Sequence, residues 1–141
     1  MKYSKVSYSN LSSKQKEAYN FAHLSALLSE FGLSSIWLQD DWQGADCLAQ
    51  TADNEFLKIQ LKGRLTFDKK YIGKKIYIAF PHDNGFYVYP HDKVLKQYQE
   101  RFSNTSSWND RGQYSMKKLN QGDTNILKGY FVSKTMDSIT L

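Results

Sequence analysis

Three polar residues in the first half of the chain, Asp46, Gln60 and Lys62, have the types and spacing that metal-assisted hydrolysis of a phosphate ester requires. Asp46 follows the Gly44-Ala45 pair and belongs to an expected strand over Ala45–Ala49. Gln60 lies 14 residues further on, in the run Leu57-Lys58-Ile59-Gln60-Leu61-Lys62, where apolar and polar residues alternate at the period of a strand. Leu57, Ile59 and Leu61 then face one way, and Lys58, Gln60 and Lys62 the other. Two antiparallel strands joined by a tight turn can bring Asp46, Gln60 and Lys62 together. A carboxylate and an amide or carbonyl oxygen are the hard ligands that Mg²⁺ takes while keeping waters for chemistry. A lysine beside them orients or deprotonates the attacking water and offsets negative charge as it builds on a phosphate. The bland expectation for the same residues is that Asp46 caps a turn while Gln60 and Lys62 form a solvated strand face.

The elements around these residues can be read from pattern. Ser12 or Ser13 caps a helix from Lys14 to Phe31, with Phe21, Leu24, Leu27, Leu28 and Phe31 at helical spacing, and Gly32 stops it. Leu33–Leu38 is apolar enough for a short strand, and Asp40-Asp41-Trp42-Gln43-Gly44 reads as a turn. A basic loop after Lys62 leads to a strand over Lys75–Phe80. Pro81-His82-Asp83-Asn84-Gly85 is a hairpin connection, and its Asn-Gly pair suits a turn with positive φ. Phe86–Tyr89 returns as a strand, and Pro90-His91-Asp92 opens a second helix to about Phe102 with Asp92 as its N-cap. Residues 103–125 are polar and without clear periodicity, and Ile126–Val132 can form a last strand. The order implies a mixed α/β or α+β fold, built as a single domain over residues 1–141.

Charge is segregated. The net charge of +5 hides a run from residue 17 to 57 with seven acids (Glu17, Glu30, Asp40, Asp41, Asp46, Asp53, Glu55) and no lysine or arginine. Residues 58–75 then carry Lys58, Lys62, Arg64, Lys69, Lys70, Lys74 and Lys75 against Asp68 alone. A basic block beside an acidic one suits a polyanion-binding surface next to a carboxylate metal site; lysine-rich strand edges that resist aggregation are the ordinary alternative. The single cysteine, Cys47, excludes an internal disulfide and a multi-cysteine zinc site. No apolar run approaches the roughly 18 residues of a membrane span, and the first residues lack the apolar core of a secretion signal. A soluble, cytoplasmic chain without membrane contact is the expectation.

The motifs Gly44-Ala45-Asp46-Cys47-Leu48-Ala49 and Ile59-Gln60-Leu61-Lys62, preceded by a helix and followed by a second, resemble the PD-(D/E)XK or restriction-endonuclease-like nuclease superfamily, whose site follows Asp…(Asp/Glu/Gln)-x-Lys. The resemblance covers about residues 15–100. It implies a central mixed sheet of four to five strands flanked by helices, and a Mg²⁺- or Mn²⁺-dependent endonuclease that hydrolyses phosphodiester bonds, DNA being the expected substrate. By this resemblance Asp46 is the principal metal ligand, Gln60 a second ligand and Leu61 a backbone-carbonyl ligand. Lys62 is the catalytic lysine, and Glu17 on the first helix a candidate outer acid. Gln60 stands where a carboxylate is commoner, which removes one negative charge from the site. The alternative is a catalytically inactive protein of the same fold that binds nucleic acid or a protein partner. A double-strand break would call for a homodimer.

Lys58, Arg64, Lys69, Lys70, Lys74 and Lys75 are candidates for contact with a nucleic-acid backbone. Trp108 could stack a base or sugar while Arg111 contacts a phosphate, or Trp108 could pin its loop to the core. His82 and His91 fall where a turn or helix start is already demanded, and His23 lies in the first helix. Cys47 points away from Asp46 and reads as a small core residue.

Overall fold

The first helix begins where Ser12 and Gln15 satisfy each other's backbone. In the computed structural model, which describes residues 1–141, Gln15 N–H donates to Ser12 Oγ (3.2 Å) and Ser12 N–H donates to Gln15 Oε1 (2.8 Å). This reciprocal cap opens α1 (Ser13–Ser29) and uses two amides that no helical turn can reach. Leu24, Leu27 and Leu28 form its buried stripe, and Gly32 at φ 81° ends the turn that follows.

Eight strands and three more helices complete the chain: β1 (Ser34–Trp42), β2 (Ala45–Gln50), β3 (Phe56–Leu61), β4 (Leu65–Asp68), β5 (Ile76–His82), β6 (Gly85–Pro90), α2 (His91–Phe102), α3 (Ser106–Arg111), β7 (Gln113–Met116), α4 (Gln121–Leu127) and β8 (Phe131–Val132). The fold is mixed α/β. Six strands form one sheet in the order β1-β2-β3-β5-β6-β8, and β4 and β7 form a separate antiparallel ribbon. Within the sheet only β3 and β5 run parallel. Parallel neighbours need a crossover connection. Residues 62–75 supply it, and β4 is part of that connection.

The sheet exceeds the expected four to five strands, and several expected boundaries move. β1 runs through Asp40 and Asp41, so the turn shrinks to Gln43 and Gly44, both at positive φ (54° and 86°). Such a two-residue turn matches the twist of its strands. In the β5–β6 hairpin the positive φ values fall on Asp83 and Asn84 (42° and 61°), one residue before the expected Asn84-Gly85 pair. Gly85 is already in β6, and the reason is space: a Cβ there would lie 2.5 Å from the Val132 carbonyl oxygen of β8. Gly85→Ala is therefore expected to loosen β8 and to cost about 1–3 kcal/mol in chemical denaturation, the usual cost of overpacking. Asp92 is not the N-cap of α2, which has no side-chain cap at Pro90. Its Oδ2 instead accepts from Gly73 N–H at 2.8 Å. Residues 103–125, expected to be irregular, hold α3, β7 and most of α4; of the expected strand over 126–132, only Phe131 and Val132 pair.

Apolar side chains fill both faces of the sheet. Under α1 lie Cys47, Ala49, Ile59, Ala79, Phe86, Val88 and Val132. On the other face Ile76, Ile78, Phe80 and Tyr89 meet the ribbon's Leu65 and Phe67 and the inner side of α2, Val94, Leu95, Tyr98 and Phe102. No helix is long and apolar enough to cross a membrane.

Candidate active site

The register of β2 and β3 decides where the polar residues go. Cys47 pairs with Ile59, and both are buried in the layer under α1. Their neighbours Asp46 and Gln60 therefore turn to the opposite face, toward the ribbon and α2, and the same register sets them opposite each other. Leu61 N–H donates to Asp46 Oδ2 at 2.9 Å, which fixes the carboxylate against the end of β3. Lys62 carries the line one step further: its N–H donates to the Ala79 carbonyl at 2.9 Å, and its Nζ stands 5.7 Å from the centre of the Tyr71 ring. Asp46, Gln60 and Lys62 are thus brought together by two adjacent strands.

Gln60 Oε1 is buried and has no hydrogen-bond partner. An acceptor left unpaired in this way costs about 1–3 kcal/mol, and the register sets its residue opposite the Asp46 carboxylate, so a cation held between the two positions would satisfy it. No three His, Cys, Asp or Glu side chains converge as a metal-binding group anywhere in the chain. The candidate ligand set consequently depends on one carboxylate, one amide and backbone oxygen, all hard donors that fit Mg²⁺ or Mn²⁺. The turn-capping role that competed for Asp46 belongs to Asp41, whose Oδ1 accepts from Gly44 N–H at 2.8 Å.

Electrostatics agree with a site short of positive charge at its ligands. Burial raises the Asp46 pKa above the ordinary carboxylate range, and the Glu17 and Asp41 carboxylates push it the same way against the Leu61 N–H bond and Lys62. Glu17, exposed on α1, is thereby within electrostatic reach of Asp46. Burial lowers the Lys62 pKa, helped by Lys70 and opposed by Asp46 and Asp68. Because the folded-state pKa of Asp46 lies above its unfolded value, its ionisation costs stability as pH rises through the folded pKa, and the cost is absent at lower pH. Asp46→Asn keeps an acceptor for Leu61 N–H. Without divalent metal it is expected to raise the thermal midpoint at pH 7 by about 2 °C, with the gain vanishing in acid. Calorimetry at the two pH values checks this.

The other expected site residues are spread around this point. Arg64 is exposed two residues beyond Lys62, Lys69 and Lys70 lie in the turn after β4, and Lys74 and Lys75 are exposed before β5. Lys58 is half-buried, and its Nζ donates to Gln43 Oε1 at 3.0 Å. Arg111 is exposed in the last turn of α3. Trp108 does not offer a stacking surface: it is 5% exposed and packs edge-on to Phe102, with Lys69 Nζ 5.2 Å over its ring. The anchoring alternative describes it. His91 is fully buried; Asp68 N–H donates to its Nε2 (3.1 Å) and its Nδ1 lies 2.8 Å from Asp92 Oδ1, so it ties β4 to the start of α2. His82 lies beside Asp83, and His23 stacks on Tyr19. Burial pushes the Cys47 thiol up to about 12, in keeping with a core residue.

Sequence reasoning missed a polar cleft next to Lys62, to which Thr66, Gln113, Ser115 and Lys117 contribute. Three of these come from the segment read as irregular. The available signal was slight: Gln113-Tyr114-Ser115-Met116 alternates directly after Gly112, a glycine in left-handed conformation that ends α3.

No family model matches the chain, and no curated protein sequence does. Among solved structures it is similar to a bacterial homing endonuclease, I-Ssp6803I, with 14% sequence identity and a TM-score of 0.46 over 78% of each chain.

Proposed function

We propose that this chain is a divalent-metal-dependent phosphodiesterase of the PD-(D/E)XK type, acting on nucleic acid and most simply a Mg²⁺- or Mn²⁺-dependent DNA endonuclease. The observation that carries the reading is the buried, unpartnered Gln60 Oε1 on the β3 position that the register sets opposite Asp46, with Lys62 two residues on. Asp46, Gln60 and the Leu61 carbonyl would hold the metal, with Glu17 as an outer carboxylate. When bound, such an ion polarises the phosphate and makes water a competent nucleophile near neutral pH. Lys62 Nζ acts on the water and the ester: as a half-buried cation next to the site it orients the attacking water and offsets the negative charge developing on the phosphate oxygens. Asp46 holds its geometry through Leu61 N–H, so the attacking group and the ester stay aligned. The exposed Arg64, Lys69, Lys70, Lys74 and Lys75 give the basic surface a polyanionic substrate needs.

Gln60→Leu and Gln60→Glu test this directly. Leucine has nearly the same size without the oxygen, and cleavage of a duplex oligonucleotide should be lost at the Mg²⁺ concentration that half-saturates the native chain and return only at much higher metal; glutamate restores an oxygen and should keep cleavage, at lower metal concentration. Wild-type cleavage by Gln60→Leu would remove the reading's support.

A further inference from the structure

The cleft beside Lys62 has a composition that selects its ligand. It measures about 420 Å³ and no apolar side chain lines it. Its floor is the ribbon, where β4 and β7 pair Thr66 with Ser115 while Leu65 and Phe67 turn into the core. Lys62, Arg64 and Lys117 stand around it, none of them engaged in an ion pair. No carboxylate lines it. The nearest acid on the ribbon, Asp68, is 7% exposed and already accepts from Lys70 N–H and Gln113 Nε2 at 3.0 Å each. Three cations outside any ion pair, with the Ser115 hydroxyl between them and no apolar side chain in the lining, form a seat for an anion; the Thr66 hydroxyl is buried and donates to the Arg64 carbonyl at 2.9 Å. A volume in the range of small-molecule sites, about 300–1,000 Å³, fits a sugar with its phosphate better than a bare ion. Lys62 belongs to both the cleft and the candidate active site, so the two are continuous.

We infer that this cleft binds the DNA backbone immediately beside the scissile phosphodiester, with Arg64 and Lys117 on phosphate oxygens and the Ser115 hydroxyl below them. The inference rests on the function proposed above and adds the path of the substrate strand across the β4–β7 ribbon. Contacts of this kind position the strand and carry no sequence information. Their removal should weaken binding equally for unrelated sequences and reduce its salt dependence.

The test measures the affinity of a labelled DNA duplex across a salt series by fluorescence anisotropy, with every protein carrying Asp46→Asn so that nothing is cut. Arg64→Gln combined with Lys117→Gln should lower the slope of log affinity against log salt by about 1.8, the loss of two phosphate contacts. It should do so for two unrelated sequences alike, with an unchanged thermal midpoint. Ser115→Asp, which places a carboxylate in the seat, should also weaken binding. A control pair, Lys128→Gln with Lys134→Gln next to β8 at the opposite edge of the sheet, should leave the slope as it was. Duplex binding that both pairs change equally, or neither changes, overturns the seat and leaves the proposed function standing. Absence of duplex binding by the parent protein at low salt overturns both.

Discussion

Replacing Lys62 by alanine is expected to lower the single-turnover rate of phosphodiester cleavage by about 10²–10³-fold at saturating metal, the range for losing one positioned group that stabilises charge in the transition state. The metal concentration for half-maximal rate should not rise. Lys62 is a cation near Asp46, close enough to pull its pKa down, and removing it makes the ligand oxygens a better site for a divalent ion. This separates Lys62 from Gln60 and Asp46, whose substitutions should raise that midpoint. Rates measured across a Mg²⁺ series for wild type, Lys62→Ala and Gln60→Leu decide the matter. A loss of less than about tenfold, or a midpoint that rises as it does for Gln60→Leu, would assign Lys62 to binding the substrate and not to the chemistry.

The largest effect on stability is expected at Asp123, far from the proposed chemistry in sequence yet tied to the ribbon that borders it. Its side chain is fully buried on α4. Tyr98 Oη–H donates to its Oδ1 (2.9 Å), as does Arg101 Nη1, and Asn120 N–H donates to its Oδ2 (2.8 Å). One carboxylate thus fastens α4 to α2 and caps its own helix, while Arg101 also reaches Met116 at the end of β7. Asp123→Ala leaves a buried hydroxyl, a backbone N–H and a guanidinium without their acceptor. Breaking such a group from one side costs about 3–5 kcal/mol, or a fall of roughly 10 °C in thermal midpoint for a chain of this size. Asp123→Asn retains an acceptor and should lose about half as much. Thermal unfolding followed by circular dichroism checks both. Equal and small losses would mean that the network adds little beyond packing.

The parts of the site legible in the sequence are those governed by local rules. β3 shows its two faces as alternation, and the short distance from Asp46 to Gln60 leaves little choice but a hairpin between their strands. The Ser12 and Gln15 cap is likewise a four-residue signal. The ribbon was invisible for a physical reason. All four residues of β4 are buried, so it has no period of two, and its partner β7 lies about 45 residues away, tied through pairs such as Asp68 with Gln113. α3 and α4 have six and seven residues, too short to show a helical stripe, though Thr105 and the Asn120-Asp123 pair mark their caps. Trp108 was ambiguous because burial of a lone aromatic depends on a core that residues distant in sequence, Leu65, Phe67 and Tyr89 among them, must first assemble. The unpaired state of Gln60 Oε1 has no sequence signature, because it depends on which groups the folded layers bring against that face of β3.

The most direct measurement is cleavage of supercoiled plasmid by the purified chain in Mg²⁺ or Mn²⁺, beside Asp46→Asn purified in the same way. The site built from Asp46, Gln60 and Lys62 predicts nicked or linear product from the native chain alone, abolished by a chelator. Equal cutting by the two proteins, or no cutting by a folded native chain in either metal, would contradict it.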